Sequence, residues 1–320
     1  MQSINSNLHK ARILDNDEFY TRMIDIQNEL DCHKESFNNK VVYCNCDSHK
    51  QSNFVKYFIS NFNELKLKKL ISTSLSPGRK GILFTYDGIS TEKTLNGNGD
   101  FRSKECIDLL EQSDIVVTNP PFSLFNDFIK LMINKGKQFI VIGPKNAISY
   151  KEIFPYIRDN KLWVGYTPIS KNLYFDIPED MKLGYEPTNS HYTVIDGDIK
   201  GRAASMWYTN MPVSRRNKPL DLVCTYSKEL YPTYDNYDAI EVGKVKEIPN
   251  DYYGVIGVPI TFIDKYCPSQ FEILDMSPHF FTLIEKGLEK PKQLSLKEQG
   301  LKDPFARILI KRNLCMEPPK

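Results

Sequence analysis

Hydrophobic positions in the first half of the chain alternate between short continuous runs and helical spacings. Val41-Val42-Tyr43-Cys44 is a compact apolar run that ends in polar residues. Beyond it Phe54, Val55, Phe58, Ile59 and Phe62 recur at the spacing of an amphipathic helix. Lys69-Leu70-Ile71 and the stretch 81–86 predict two further strands, the second closed by Asp87-Gly88. Asn96-Gly97-Asn98-Gly99-Asp100 predicts a turn. Helical spacing returns at Cys106, Ile107 and Leu110. Asp114-Ile115-Val116-Val117-Thr118 is then β-branched, as in a strand buried on both faces of a parallel sheet, and it stops at Asn119-Pro120-Pro121. Ser123 is placed to cap a helix whose Leu124, Phe125, Phe128, Ile129, Met132 and Ile133 share one broad face and which Gly136 ends. The stretch 138–142 predicts the next strand, broken by Gly143-Pro144.

This rhythm predicts an α/β fold with a doubly wound, mostly parallel, Rossmann-like sheet. Ligands of such sheets bind beyond the carboxyl ends of the strands, where Cys44 to Asp47 and Asn119 to Phe122 both fall. From about Trp163 the rhythm changes. Prolines and tyrosines become frequent, and only short β-like runs remain, at 191–195, 204–208, 253–258, 271–274 and 307–310. The expected division is a catalytic domain over 1–165 and a region of mixed α+β character over 166–320. The final strand near 306–311 has the option of rejoining the first sheet, and Met316 to Lys320 are expected to be loose.

Composition narrows the setting more than the chemistry. The 320 residues are 41% hydrophobic and 26% charged, ordinary for a soluble globular protein. No apolar run approaches the roughly 20 residues of a membrane helix. Met1 to Lys10 is polar and unlike a signal peptide, so a cytoplasmic location is expected. Seven cysteines are scattered without a paired framework, as reduced thiols are. Cys44-Asn45-Cys46 with His49 lacks the second ligand pair of a zinc site, and no metal is expected. No coiled-coil heptads appear, so a monomer is expected.

A net charge of +2 makes no case for nucleic acid. Its distribution is more informative. Ser214-Arg215-Arg216-Asn217-Lys218, between Pro212 and Pro219, reads as an exposed basic loop suited to phosphates. Lys145-Asn146 follows a strand and offers a phosphate or base contact, although it reads first as an ordinary loop. Trp163 and Trp207 read as core.

The chemistry concentrates in Asn119-Pro120-Pro121-Phe122. From average residue usage, Asn, Asp or Ser followed by two prolines and an aromatic arises by chance in on the order of one percent of chains this long. Two prolines stop a strand, which accounts for them and leaves the Asn and the aromatic unexplained. The segment resembles the four-residue motif of the amino-methyltransferases. That resemblance implies S-adenosylmethionine as cofactor. It also implies a mechanism in which the Asn119 side-chain oxygen and the Pro120 carbonyl accept the two hydrogens of an exocyclic amine. The proline ring stiffens the loop and orients that carbonyl, Pro121 completes the motif, and Phe122 stacks on a base taken out of its helix. No metal, catalytic triad or strong base is required, because alignment supplies much of the rate.

The resemblance extends along the chain. Asp17-Glu18-Phe19-Tyr20-Thr21, the stretch from Val41 to Asp47, Ser52-Asn53-Phe54, Gly99-Asp100-Phe101, Val117 to Ser123 and Gly257 to Phe262 all resemble the EcoRI modification methylase family. The implied activity is N6 methylation of adenine in double-stranded DNA. Target recognition then lies in the C-terminal region, and the role is protective modification beside a restriction endonuclease. The implied cofactor residues are Tyr20, Thr21, Asn45, Cys46, Asp47, Asp100 and Phe101. The implied DNA contacts are Lys145, Asn146, Arg215, Arg216 and Lys218. Two departures from the wider class stand out. Cys44-Asn45-Cys46-Asp47 replaces the usual glycine-rich turn, as is common in this family, and Ser72-Thr73-Ser74 stands where many relatives place an acidic residue. Adenine in RNA, a glutamine side chain, or an inactive DNA-binding relative are the alternatives. An oxidoreductase would need a Gly-x-Gly-x-x-Gly turn that the chain lacks.

Overall fold

Every residue of Val41–Cys44 and of Ile115–Thr118 is buried, and these two strands run parallel, side by side, at the middle of the first sheet. The computed structural model describes residues 20–177 and 192–313, so the readings at Asp17 to Phe19, His191 and Met316 to Lys320 lie outside the described residues. The chain divides into two compact units that interleave in sequence. The first takes Met1–Lys145 and Gly165–Met211, and the second takes Asn146–Val164 and Pro212–Lys320.

The strands of the first unit are β1 (Tyr20–Thr21), β2 (Val41–Cys44), β3 (Lys69–Ser74), β4 (Ile82–Tyr86), β5 (Ser90–Thr94), β6 (Ile115–Thr118), β7 (Gln138–Pro144), β9 (Leu173–Asp176), β10 (Tyr192–Ile195), β11 (Asp198–Ala203) and β12 (Ser205–Thr209). Its main helices are α1 (Met23–Leu30), α2 (Asn53–Ser60), α3 (Lys104–Glu111) and α4 (Phe125–Asn134). The principal sheet runs β5-β4-β3-β2-β6-β7-β12. Its centre, β3-β2-β6-β7, is parallel, and β4, β5 and β12 are antiparallel additions at its flanks. From β2 the chain builds outward first to β3 and later, on the other side, to β6. The strand order therefore reverses between β2 and β6, the place where such sheets open a crevice for ligands. A smaller antiparallel sheet, β1-β9-β11-β10, pairs Thr21 with Phe175.

Four local readings change. The stretch expected as a third parallel strand is the first arm of an antiparallel hairpin, β4–β5, turned at Gly88 with φ +101. β7 continues through Gly143-Pro144 where a break was expected. Gly143 is needed there for closeness, since an added Cβ would lie 2.2 Å from the Phe125 ring. Helix α4 starts later than expected, with Leu124 rather than Ser123 at its N-cap position. Leu124 N–H donates to the Pro121 carbonyl at 3.0 Å, forming a 3-10 turn over Phe122–Leu124 that delays the helix to Phe125. Finally, β12 comes from the C-terminal half of the chain yet pairs with β7 in the first sheet.

The second unit holds β8 (Trp163–Val164), β13 (Ile240–Glu241), β14 (Ile256–Pro259), β15 (Phe271–Met276) and β16 (Arg307–Arg312), with short helices α5 (Phe154–Arg158) and α6 (Phe281–Glu285). Its sheet order is β13-β14-β16-β15. The final strand does not rejoin the first sheet. Ile308, Leu309 and Ile310 are buried because β16 is inserted between β14 and β15. Among the described residues, no helix is long and apolar enough to cross a membrane.

The turn from Asn96 to Asp100 is fixed against the end of β3. Ser76 N–H donates to the Asn98 carbonyl at 2.8 Å, and Gly81 N–H donates to the Gly97 carbonyl at 2.9 Å. Gly99 has φ +86, and a Cβ there would lie 2.2 Å from the Ser74 carbonyl oxygen. Gly99→Ala therefore meets both a backbone it rarely adopts and a carbonyl in its place. A loss of roughly 2–3 kcal/mol in urea unfolding is expected, and an unchanged midpoint would refute this account of the turn.

Candidate active site

The chain leaving β2 does not form a wide glycine loop. It bends across the end of β3 and is fastened there. Asp47 N–H donates to the Thr73 carbonyl at 2.9 Å, Ser72 Oγ donates to the Asp47 carbonyl at 2.5 Å, and Thr73 Oγ1 donates to the Asn45 carbonyl at 3.4 Å. The hydroxyls of Ser72 and Thr73 thus occupy the positions where an acidic residue was missed in the sequence. Asn45 and Asp47 are buried, and Cys46 is half-buried between them.

Asp47 points its carboxylate at two hydroxyls. Ser52 Oγ donates to Oδ1 at 2.6 Å, and Thr118 Oγ1 donates to Oδ2 at 2.5 Å. Ser52 also caps α2, accepting the Phe54 N–H at 3.1 Å, so Asp47 supports the cap and is not itself the cap. Next to it Asn53 Nδ2 donates to the Thr21 carbonyl at 2.9 Å, which brings β1 to the same edge. Thr21 Oγ1 is buried and, among the described residues, meets no hydrogen-bond partner. A buried hydroxyl left open in this way fits a polar ligand at this edge.

The motif begins one residue after Thr118. Pro120 is buried, while Asn119, Pro121 and Phe122 are half-buried, and Phe122 packs against the core that contains Phe54, Ile140 and Trp207. The hydrogen bond from Thr118 to Asp47 therefore joins the two strand ends across the reversal in strand order. Thr118 and Ser52 were given no role by sequence reasoning. The available signals were a hydroxyl at the last position of a β-branched strand and a serine opening an amphipathic helix.

The remaining expected cofactor residues are placed differently. Phe101 is a core ring, edge-on to Phe128 at 5.2 Å. The Asp100 carboxylate accepts three hydrogen bonds from Arg102, from the backbone N–H at 2.9 Å, Nε at 3.0 Å and Nη2 at 2.7 Å. The guanidinium holds that carboxyl below its usual range. Burial pushes the Cys44 and Cys46 thiols well up, so both stay protonated.

The basic residues divide between the units. In the first, Lys145 Nζ donates to the Lys171 carbonyl at 3.0 Å and to Asn172 Oδ1 at 3.4 Å. In the second, Asn146 accepts from the Tyr150 hydroxyl at 3.1 Å. Arg215 pairs with Asp264 at 3.3 Å. Arg216 lies over the Trp163 ring at 4.1 Å and donates to Asn160 Oδ1 at 2.8 Å. Burial lowers its pKa to about 10, which leaves it charged at neutral pH. Lys218 is exposed. Trp207 is fully buried, as expected, whereas Trp163 is half-buried beneath Arg216.

Burial pushes the Asp47 carboxyl from its ordinary 3.8 up to about 6, with the Ser52 and Thr118 hydroxyls pulling it partly back. A folded pKa above the unfolded one means that the folded chain holds this proton more tightly. The stability so gained is complete below about pH 3.8 and is lost as pH rises through about 6. Its size is on the order of 3 kcal/mol. Asp47→Asn removes this loss. Relative to the parent, its unfolding free energy should improve by an amount of that order between pH 4 and pH 7. A pH-independent difference between the two would mean that the carboxyl titrates at its ordinary value.

Comparison with known proteins identifies the family of the chain. The family described as "Adenine-specific methyltransferase EcoRI" matches residues 7–82 and 85–313. The chain is 43% identical over 329 residues to the type II methyltransferase M.EcoRI of Escherichia coli, covering 96% of each. It is 41% identical over 314 residues to the type II methyltransferase M.MgeORF184P of Mycoplasma genitalium, covering 96% of this chain and 98% of that protein. It is also 41% identical over 271 residues to the type II methyltransferase M.MpnI of Mycoplasma pneumoniae, covering 83% and 84%. No solved structure matches it. With a parallel sheet that reverses between β2 and β6, Asn119 to Phe122 at that reversal, and a family match over nearly the whole length, the chain belongs to the EcoRI family of adenine-specific DNA methyltransferases.

Proposed function

We propose that this protein methylates N6 of an adenine flipped out of duplex DNA, using Asn119 and Pro120 to orient the amine and Phe122 to hold the base. The observation that carries the reading is the hydrogen bond between Thr118 and Asp47, which ties the motif to the loop after β2 where a cofactor would bind. The buried hydroxyl of Thr21 beside that loop fits the polar amino-acid end of S-adenosylmethionine. Tyr20, Thr21, Asn45, Cys46 and Asp47 line this end in the proposal. Asp100, kept anionic by Arg102, is suited to accept from a hydroxyl, and Phe101 gives the turn an apolar floor. The cofactor, when bound, supplies a methyl group on a positively charged sulfur, already a good leaving group.

The chain's own task is to prepare the nucleophile. The lone pair of an exocyclic amine is delocalised into the purine ring and is weakly nucleophilic. Accepting both amine hydrogens at the Asn119 side-chain oxygen and the Pro120 carbonyl localises that pair and fixes its direction. Pro121 limits the freedom of the loop, so little ordering cost is left for the transition state. Unstacking the adenine costs a few kcal/mol, which stacking on Phe122 partly offsets.

Residues 166–320 are proposed to recognise the target. Lys145, Asn146, Arg215 and Lys218 contact phosphates or bases, and Arg216 braces the basic turn from its place on Trp163. The protein works as a monomer in the cytoplasm. The type II designation of its relatives supports a protective role beside a restriction endonuclease.

Transfer of labelled methyl should occur on duplex DNA, with the label recovered as N6-methyladenine. Label in ribosomal RNA or protein but not DNA would sink the proposal. Asn119→Ala should lower single-turnover transfer by at least about 100-fold while cofactor binding stays near the parent value; turnover close to parent would remove Asn119 from its assigned role. Lys218→Ala should reduce the salt slope of DNA binding by about one. Arg216→Ala should mainly lower thermal stability, and a pure loss of DNA affinity there would place its guanidinium on phosphate instead.

A further inference from the structure

We propose that Thr118 is a positioning residue of the transfer reaction. Through its hydrogen bond to Asp47 it sets the place of Asn119 relative to the cofactor loop. The inference rests on the functional reading above and goes beyond it, because it assigns the coupling between the two halves of the site to one buried side-chain contact. Thr118 is the last residue of β6, pairs with Val141 of β7 and is fully buried. A threonine in a buried strand commonly satisfies its hydroxyl on nearby backbone. This one donates instead across 71 residues of sequence to Asp47 Oδ2. Because threonine is stiff about χ1, the direction of its hydroxyl and the course of its backbone are linked. Fixing Oγ1 therefore fixes where the chain enters Asn119.

Asp47 is suited to the other end of this link. Its backbone is tied to β3 through the Thr73 carbonyl and the Ser72 hydroxyl, and its second carboxylate oxygen is held by Ser52 at the start of α2. It cannot move independently of the loop that contains Asn45 and Cys46. Keeping a buried carboxylate at this position costs stability relative to an apolar residue of similar size. Two hydroxyl donors from opposite sides give the carboxylate a use that an apolar residue could not have. A displacement of the motif by about 1 Å is enough to slow an aligned displacement by about 100-fold.

The test is a double-mutant cycle in the full-length chain, with cofactor affinity and single-turnover methyl transfer to duplex DNA measured separately. Thr118→Val, which keeps shape and removes the hydroxyl, should slow transfer at saturating cofactor about 10- to 100-fold and change cofactor Kd by less than about threefold. Thr118→Ser should recover most of the rate. Asp47→Asn should produce a similar slowing, and the double variant should be little slower than either single one. Ser52→Ala, which touches the other oxygen and the helix cap, should lower thermal stability and slow transfer less than Thr118→Val. Multiplying losses in the double variant, a Thr118→Val defect that vanishes at saturating cofactor, or a Ser52→Ala rate as low as that of Thr118→Val would overturn the inference. Should Thr118→Val fail to fold, Thr118→Ala, which also removes the hydroxyl, carries the same comparison with Asp47→Asn. Methylation of DNA by the parent tests the functional reading, and the ratio of variant to parent tests the inference.

Discussion

The site depends on one buried carboxylate that holds two hydroxyls. Asp47 takes one from the cap of α2 and one from the last residue of β6, and its own backbone is sewn to the end of β3. Three elements that meet the crevice from different directions thus share a single anchor. Burying the charge is unfavourable by itself, as its raised pKa records, so the arrangement places a local cost where order is needed. Removing a donor leaves the carboxylate short of a partner inside the protein, which is more damaging than removing a contact at the surface.

Around this anchor the loop and the turn are held by close approach of backbone, without a glycine-rich loop after β2. Gly99 lets the turn before α3 lie on Ser74, and Gly143 lets the Phe125 ring sit against β7. The hydroxyls of Ser72 and Thr73 hold the short loop after β2 close to the sheet. A narrow, hydroxyl-lined edge results, and the Cys46 thiol beside it remains neutral.

Much of the sheet was legible in the sequence because burial on both faces leaves continuous apolar runs, as in Val41–Cys44 and Ile115–Thr118. β5 was not, because Ser-Thr-Glu-Lys-Thr is exposed throughout and has no hydrophobic pattern to read. β12 was legible as a strand but not as a member of the first sheet, since pairing partners are not written in a local pattern. The motif was legible because two prolines interrupt a β-branched run at a chemically specific place. Its support was not. A threonine hydroxyl looks the same in sequence whether it bonds its own backbone or a carboxylate 71 residues away. The basic turn shows the opposite failing. Three cations in five residues suggest one surface, yet one of them lies on an indole ring.

The interleaving of the two units bears on how such a protein can be recombined over evolutionary time. The chain passes between units after Lys145, after Val164 and after Met211, so the second unit is assembled from two separate stretches of gene. A single recombination breakpoint cannot exchange it whole. A crossover after Met211 would leave Asn146–Val164 behind, and with it Trp163, the ring on which Arg216 rests. Exchange of the second unit as a block is thereby discouraged, and the unit changes most readily by substitutions that keep both stretches together.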